Sequence, residues 1–262
     1  MVGDRQVKDT AAELARLFPD RRAEGKTNIR RCQLVMIRML MILDRVCRSE
    51  GIAYWLTAGT LIGALRHRGF IPWDWDIDIG MTEEDYRALL AVKDRFPPDI
   101  FFQNRDSEPT YEDDVVVAKL RDRHSNYTDW QSRHPDVVWH NGLQLDILLY
   151  RQDAAGRLIN PVRGTPYRRD ELFPLRELEF EGASLLVPKD PAFYIAVRYG
   201  DYMILPPASE REVREGHADP FNPCDHPESL AYPGTRPVGR RSWQAGAAAG
   251  LAARLGRLLL RR

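Results

Sequence analysis

The run Trp73-Asp74-Trp75-Asp76-Ile77-Asp78-Ile79-Gly80 constrains this chain more than any other stretch in it. Its acidic and apolar residues alternate with a period of two. A strand would therefore place Asp76 and Asp78 on one face and turn Ile77 and Ile79 into the core. Two carboxylates held side by side repel each other and raise one pKa unless a cation intervenes. A hard divalent ion with oxygen ligands, Mg²⁺ or Mn²⁺, removes that cost, and phosphate oxygens can fill its remaining sites. Asp74 shares the alternating face nearer the loop, where it is either a third ligand or simply a loop acid.

A lone D-x-D pattern is short and common, so its companions decide its weight. Upstream, Gly59-Thr60 stands at a strand-to-helix junction, where free backbone N–H groups and the helix dipole favour a phosphate. Downstream, Asp146 lies in an apolar run with Leu145, Ile147, Leu148 and Leu149. A carboxylate buried there is costly unless something pairs with it, and a shared metal would be that partner. A glycine turn, paired aspartates and a lone aspartate on a later strand are the pattern of the nucleotidyltransferase fold, in which metals bridge the donor phosphates.

The rest of the chain accommodates an enzyme of this size. Its 262 residues, 44% hydrophobic and 29% charged, can bury a core without disulfides. Cys32, Cys47 and Cys224 are an odd number and read as buried thiols of a reducing compartment. Zero formal net charge predicts no nucleic-acid partner. The N-terminus lacks the apolar core of a signal peptide, and Cys32 to Cys47 is too short and too charged to span a bilayer. The expected location is cytoplasmic, at most peripheral on the inner face of the plasma membrane.

Periodicity predicts a short helix over 9–18, a polar linker over 19–27, and a long amphipathic helix from an Asn28 cap to about Ser49, with Gly51 as its stop. Strands are expected at 52–56, 76–80, 100–103, 115–120 and 141–150, and helices at 61–66, after Thr82, and at 191–199. The expected fold is α+β: a small mixed sheet flanked by helices, with a C-terminal extension. Its parts are an N-terminal helix and linker (1–27), a catalytic domain (28–207), an irregular extension (208–242) and a basic tail (243–262).

The segment TAGTLIGALRHRGFIPWDWDIDIGM (57–81) closely resembles the LicD/fukutin family of nucleotidyltransferase-like enzymes. Further matching pieces are Leu145-Asp146-Ile147, LFPLRELEFEG (172–182), Val187-Pro188 and RYGDYMILPP (198–207). The resemblance implies a CDP-activated donor, attack at the phosphate bearing the transferred group, and release of CMP. It carries Asp76, Asp78 and Asp146 over as metal ligands and catalytic residues. Many relatives read WDDDID where this chain has Trp75; that position points away from the metal-facing acids, so the change should be tolerated. The implied acceptor is a hydroxyl of a cell-surface glycan or its lipid-linked precursor. Phosphocholine is the favoured cargo, with ribitol phosphate or another polyol phosphate as the alternative.

Around this centre, Arg66 and His67 are candidates for the donor diphosphate, with Gly59 and Thr60. Lys119 and Arg121 flank a strand end and are read either as phosphate ligands or as ordinary surface charge. The general base is not evident: Asp146, His67, His124 and His140 are candidates. Trp55, Trp73, Trp75, Tyr111, Tyr127 and Trp130 could furnish an aromatic cage for choline. His217, Cys224, Asp225 and His226 are zinc-ligand types, but their spacing fits no tight zinc pattern. The tail places Leu251, Leu255, Leu258 and Leu259 on one helical face beside Arg254, Arg257 and Arg261, a pattern suited to an anionic membrane surface. Competing readings are a D-x-D glycosyltransferase using a nucleotide sugar, nucleotidyl transfer of the aminoglycoside type, and an inactive glycan-binding scaffold.

Overall fold

The computed structural model describes residues 9–226, apart from 112, 114, 137, 138, 163, 214 and 215. The basic tail at 243–262 and most of the 208–242 extension lie outside the described residues.

Helix α1 (Ala11–Leu17) begins with a capping box: the Thr10 hydroxyl accepts from the Glu13 N–H, and the Glu13 carboxylate accepts from the Thr10 N–H. The following polar segment is not a free linker. Arg22 is buried, donating to Asp122 at 2.7 Å and to the Pro220 carbonyl, so it ties the N-terminus to the body. Helix α2 (Asn28–Glu50) is capped by Thr27 rather than Asn28, since the Thr27 hydroxyl accepts from the Arg30 N–H. Asn28 instead spends its amide on the Ala218 carbonyl at 2.8 Å. Gly51 ends α2 as expected, in the left-handed conformation at φ 68°.

The main sheet comprises β1 (Trp55–Leu56), β2 (Asp78–Thr82), β3 (Ile100–Gln103), β4 (Val116–Asp122) and β5 (Gln144–Gln152), in the order β1-β2-β5-β4-β3. Strands β2 and β5 run parallel; the other neighbours are antiparallel. The short strands β6 (Leu158–Ile159) and β7 (Pro166–Tyr167) extend the far end of β5. This is the mixed sheet of an α+β fold. Strand β2 starts two residues later than the alternation suggests, leaving Asp76 in the preceding loop. Pairing begins where the Asp146 N–H reaches the Ile77 carbonyl at 2.7 Å.

Register gives the sheet two unlike faces. Ile79, Leu120, Leu145, Ile147 and Phe102 are buried with the α2 residues Val35, Met36, Met39, Ile42 and Leu43 in the core. On the other face Asp78 stands beside Asp146, Asp146 beside Lys119, and Lys119 beside Gln103. Helix α3 (Ala58–His67) precedes β2, and α4 (Glu83–Ala91) follows it, capped by Thr82. Helices α5 (Thr128–Arg133) and α6 (Arg169–Leu172) are short. A hairpin of β8 (Arg176–Phe180) and β9 (Ala183–Val187) turns at Glu181-Gly182, both at positive φ. The Glu181 carboxylate accepts from Arg30 at 2.7 Å, which docks the hairpin on α2. Helix α7 (Pro191–Tyr199) packs against α3.

Candidate active site

The site assembles where α3 begins and where β2 and β5 begin. Thr57 caps α3 without a side-chain hydrogen bond to the helix. Its hydroxyl is instead 2.6 Å from the Tyr194 hydroxyl of α7, and its N–H donates to the Asp78 carbonyl. Ala58 opens the helix at φ 46°, a left-handed conformation uncommon for a residue with a side chain. The buried Thr60 hydroxyl accepts from the Asp78 N–H at 2.8 Å, so this residue positions the acid strand. A Cβ on Gly59 would lie 2.8 Å from Asp74 Oδ2. Any larger residue there would displace the Asp74 carboxylate, which occupies the space.

Four carboxylates converge. Asp78 and Asp146 are register neighbours on parallel strands, and Asp76 and Asp74 enter from the preceding loop. Burial, then the charges of Asp76 and Asp146, push the Asp78 carboxyl well above the ordinary range. Burial and Asp76 do the same to Asp74. Burial and Asp146 raise Asp76, partly offset by its hydrogen bond with Asp74. Asp146 has a direct partner: Lys119 Nζ lies 2.8 and 2.9 Å from its two oxygens, and Gln144 Nε2 donates at 3.2 Å. The cost of burying Asp146 is thus met by a lysine from β4 before any metal is considered. One lysine against four carboxylates leaves a surplus of negative charge, and the donor set is all hard oxygen. That chemistry fits a divalent cation of the Mg²⁺ or Mn²⁺ kind.

The other predicted residues separate. Arg66 Nη1 donates to the Tyr202 carbonyl at 2.9 Å and Nε to His67 Nε2 at 2.9 Å. Burial lowers the pKa of Arg66, with the nearby charge of Asp74 opposing, so Arg66 stands at the rim of the acid cluster. Burial and the adjacent Arg66 keep His67 below the ordinary histidine range. Arg121 lies inside β4 rather than at its end and is bonded to Gln103 Oε1 at 2.7 Å and the Gly142 carbonyl at 2.8 Å. Both Lys119 and Arg121 are buried, so neither is surface charge.

His140 is bonded at both ring nitrogens. An arginine can only donate, so Nε2 accepts from Arg123 at 3.0 Å and Nδ1 donates to Glu108 at 2.6 Å. His226 joins this pair, 3.5 Å from Glu108, making a set of metal-ligand types that the sequence does not announce. The His140 and His226 rings are tilted with centroids 4.0 Å apart, and Phe101 stacks on His140 at 3.8 Å. Glu108, His140 and His226 bring ligand atoms within 4.8 Å of one another, and in this structure they are joined by hydrogen bonds and ring contacts. His217 is elsewhere, its ring tilted against Trp75 with centroids 5.1 Å apart. His124 follows β4, beside the Arg22–Asp122 pair. Of the candidate cage aromatics, Trp55, Tyr111 and Tyr127 are buried; Trp73, Trp75 and Trp130 are partly exposed.

Residues 51–190, over half of the chain, match the family profile described as LicD/FKTN/FKRP, nucleotidyltransferase domain. The chain belongs to this family. Among its relatives, the lipopolysaccharide cholinephosphotransferase LicD of Haemophilus influenzae is 32% identical over 133 residues, covering 48% of this chain and 45% of the relative. The ribitol-5-phosphate transferase FKTN of Mus musculus is 26% identical over 175 residues, covering 64% of this chain and 33% of the relative. The chain therefore spans less than half the length of these two relatives, both of which transfer phosphate-containing groups. Among solved structures, the lincosamide antibiotic adenylyltransferase LnuA with lincomycin bound matches at 16% identity and a TM-score of 0.30, covering 57% of this chain and 77% of that one. Among the described residues, no helix is long and apolar enough to cross a membrane.

Proposed function

We propose that this family member transfers a phospho-substituent, phosphocholine in the favoured case, from a CDP-activated donor to a hydroxyl of a cell-surface glycan or its lipid-linked precursor, releasing CMP. The observation that carries the reading is the in-register pair Asp78 and Asp146 on parallel strands, with Asp76 and Asp74 beside them at the start of α3. Asp76, Asp78 and Asp146 would hold Mg²⁺ or Mn²⁺, and Asp74 lies close enough to join them. When bound, the cation would neutralise charge on the donor diphosphate as the phosphate ester exchanges.

The chain's own residues set up the rest. Lys119 holds the Asp146 carboxylate in one orientation through both oxygens. Thr60 and Thr57 fix the backbone of Asp78 from both sides of the residue. Arg66, anchored by the Tyr202 carbonyl, offers a guanidinium at the rim for a donor phosphate. Phosphocholine is favoured by the similarity to a cholinephosphotransferase and by exposed indole surface at Trp73 and Trp75 on the loop that carries Asp74 and Asp76. A polyol phosphate is the second reading, favoured by the similarity to ribitol-5-phosphate transferases.

A donor screen tests this. Purified protein, Mg²⁺ or Mn²⁺ and a bacterial glycan extract are incubated with CDP-choline, CDP-ribitol, and UDP- and GDP-sugars, and released nucleotide is separated by chromatography. CMP released from a CDP donor, and abolished by Asp76→Ala and by Asp78→Ala, is the expected result. Release of UDP or GDP from a sugar donor would sink the proposal in favour of a glycosyltransferase.

A further inference from the structure

Helix α7 carries a cation with no acidic partner among the described residues. Arg198, near the C-terminus of α7, is half-buried, and its Nε and Nη1 are shut off from bulk water yet meet no hydrogen-bond acceptor. Buried guanidinium donors left unsatisfied are costly, and where they persist beside a functional site a missing ligand is the first explanation to test. The ring contact with Tyr199, at 4.8 Å, satisfies the face of the guanidinium but none of its N–H donors.

Its placement follows from helix periodicity. Arg198 is four residues beyond Tyr194, so the two share one face of α7. The Tyr194 hydroxyl binds Thr57, and the Thr57 N–H binds the Asp78 carbonyl. The face of α7 that carries Arg198 is therefore the one docked on the start of α3 and β2.

We propose that Arg198, contributed by α7, is a phosphate-binding residue that engages the diphosphate of a nucleotide donor. A planar guanidinium donates two parallel hydrogen bonds to phosphate oxygens, which suits this role better than a point charge would. It also fits an arginine whose Nε and Nη1 are left without acceptors: a direct ion pair with Asp78 would remove both the carboxylate and the guanidinium from the ligand. The inference rests on the donor reading above, and its test separates the two.

The full chain, with Mg²⁺ present, is titrated with CDP, with cytidine and with inorganic pyrophosphate by calorimetry, in wild type, Arg198→Ala and Arg198→Lys. Circular dichroism and Tm check that each variant folds. Arg198→Ala should weaken CDP and pyrophosphate by roughly 10- to 100-fold, the range for a lost charge-assisted hydrogen bond, and leave cytidine unchanged. Arg198→Lys should recover part of the loss, since it keeps the charge without the fork. Equal CDP and pyrophosphate affinity in wild type and Arg198→Ala would overturn the assignment while leaving the donor reading intact. Cytidine weakened as much as CDP would also overturn it, as a general structural disturbance. Pyrophosphate binding that depends on Arg198, in a wild type that ignores CDP, would sink the cytidine donor and keep the phosphate site. A wild type that binds neither would reject both. If Arg198→Ala does not fold, Arg198→Gln replaces it and the same comparisons decide.

Discussion

Replacing Lys119 by methionine tests the electrostatic account of the site most directly. The side chains of Lys119 and Asp146 are each only 10% exposed, with Nζ 2.8 and 2.9 Å from the two carboxylate oxygens. At an effective dielectric of about 20, unit charges at that separation attract by roughly 6 kcal/mol. Desolvation of both groups offsets much of this, so the pair itself need not add net stability. Removing one partner is different, because it leaves Asp146 buried beside Asp78 and Asp76 with no compensating charge. The expected cost is about 3–5 kcal/mol. For a chain of this size each kcal/mol moves Tm by roughly 2–4 °C, so a drop of about 6–20 °C follows. Scanning calorimetry in chelator measures it. Pairing Lys119→Met with Asp146→Asn should recover a large part of the loss, since the stranded charge is gone. If the donor set holds a divalent cation as proposed, adding Mg²⁺ should raise the Tm of Lys119→Met more than that of wild type. A drop below about 2 °C, or a double variant no better than Lys119→Met alone, would refute the reasoning.

Gly59→Ala places a Cβ 2.8 Å from Asp74 Oδ2, and relief requires that carboxylate to move. We expect a Tm within a few degrees of wild type but at least roughly tenfold lower turnover, since small misplacements at a reacting centre are expensive; unchanged turnover would remove Asp74 from the site. The Glu108–His140 pair predicts acid sensitivity in two windows. Burial holds His140 below its ordinary value of about 6.5, despite the pull of Glu108, so its contribution is present above that pH and is lost as pH falls below it. Burial pushes Glu108 up, but the hydrogen bonds from His140 and Gln103 outweigh it and hold the carboxyl down. Its contribution is therefore lost only below about pH 4.3. In Tm measured from about pH 2.5 to 8, Glu108→Gln should flatten the lower window and keep the upper; an unchanged acid limb would show that other groups set it.

What the chain discloses before folding depends on the range of the interaction. The alternation of Asp76, Ile77, Asp78 and Ile79 is local, and it correctly separates an acidic face from a core face. The stop at Gly51 and the cap at Thr82 are local too, and both stand in the structure. The cap of α2 moves by one residue because Asn28 finds the Ala218 carbonyl, a partner 190 positions away. Arg22 breaks the linker reading for the same reason, since Asp122 and Pro220 are remote in sequence.

The same distinction explains the basic residues around the site. Lys119 and Arg121 look equivalent in sequence, two apart on one strand. Register then sets Lys119 opposite Asp146 and Arg121 opposite Gln144. One becomes the partner of Asp146; the other is spent on Gln103 and a backbone carbonyl. Arg198 shows the converse. Its four-residue spacing from Tyr194 is visible in the sequence, but the spacing means nothing until Tyr194 meets Thr57. Only then does the face of α7 that carries Arg198 dock where β2 begins at Asp78. The acids can be found from their own neighbours because a strand alternates wherever it lies. The cations that balance them cannot, because a charge is matched across the sheet rather than along the chain.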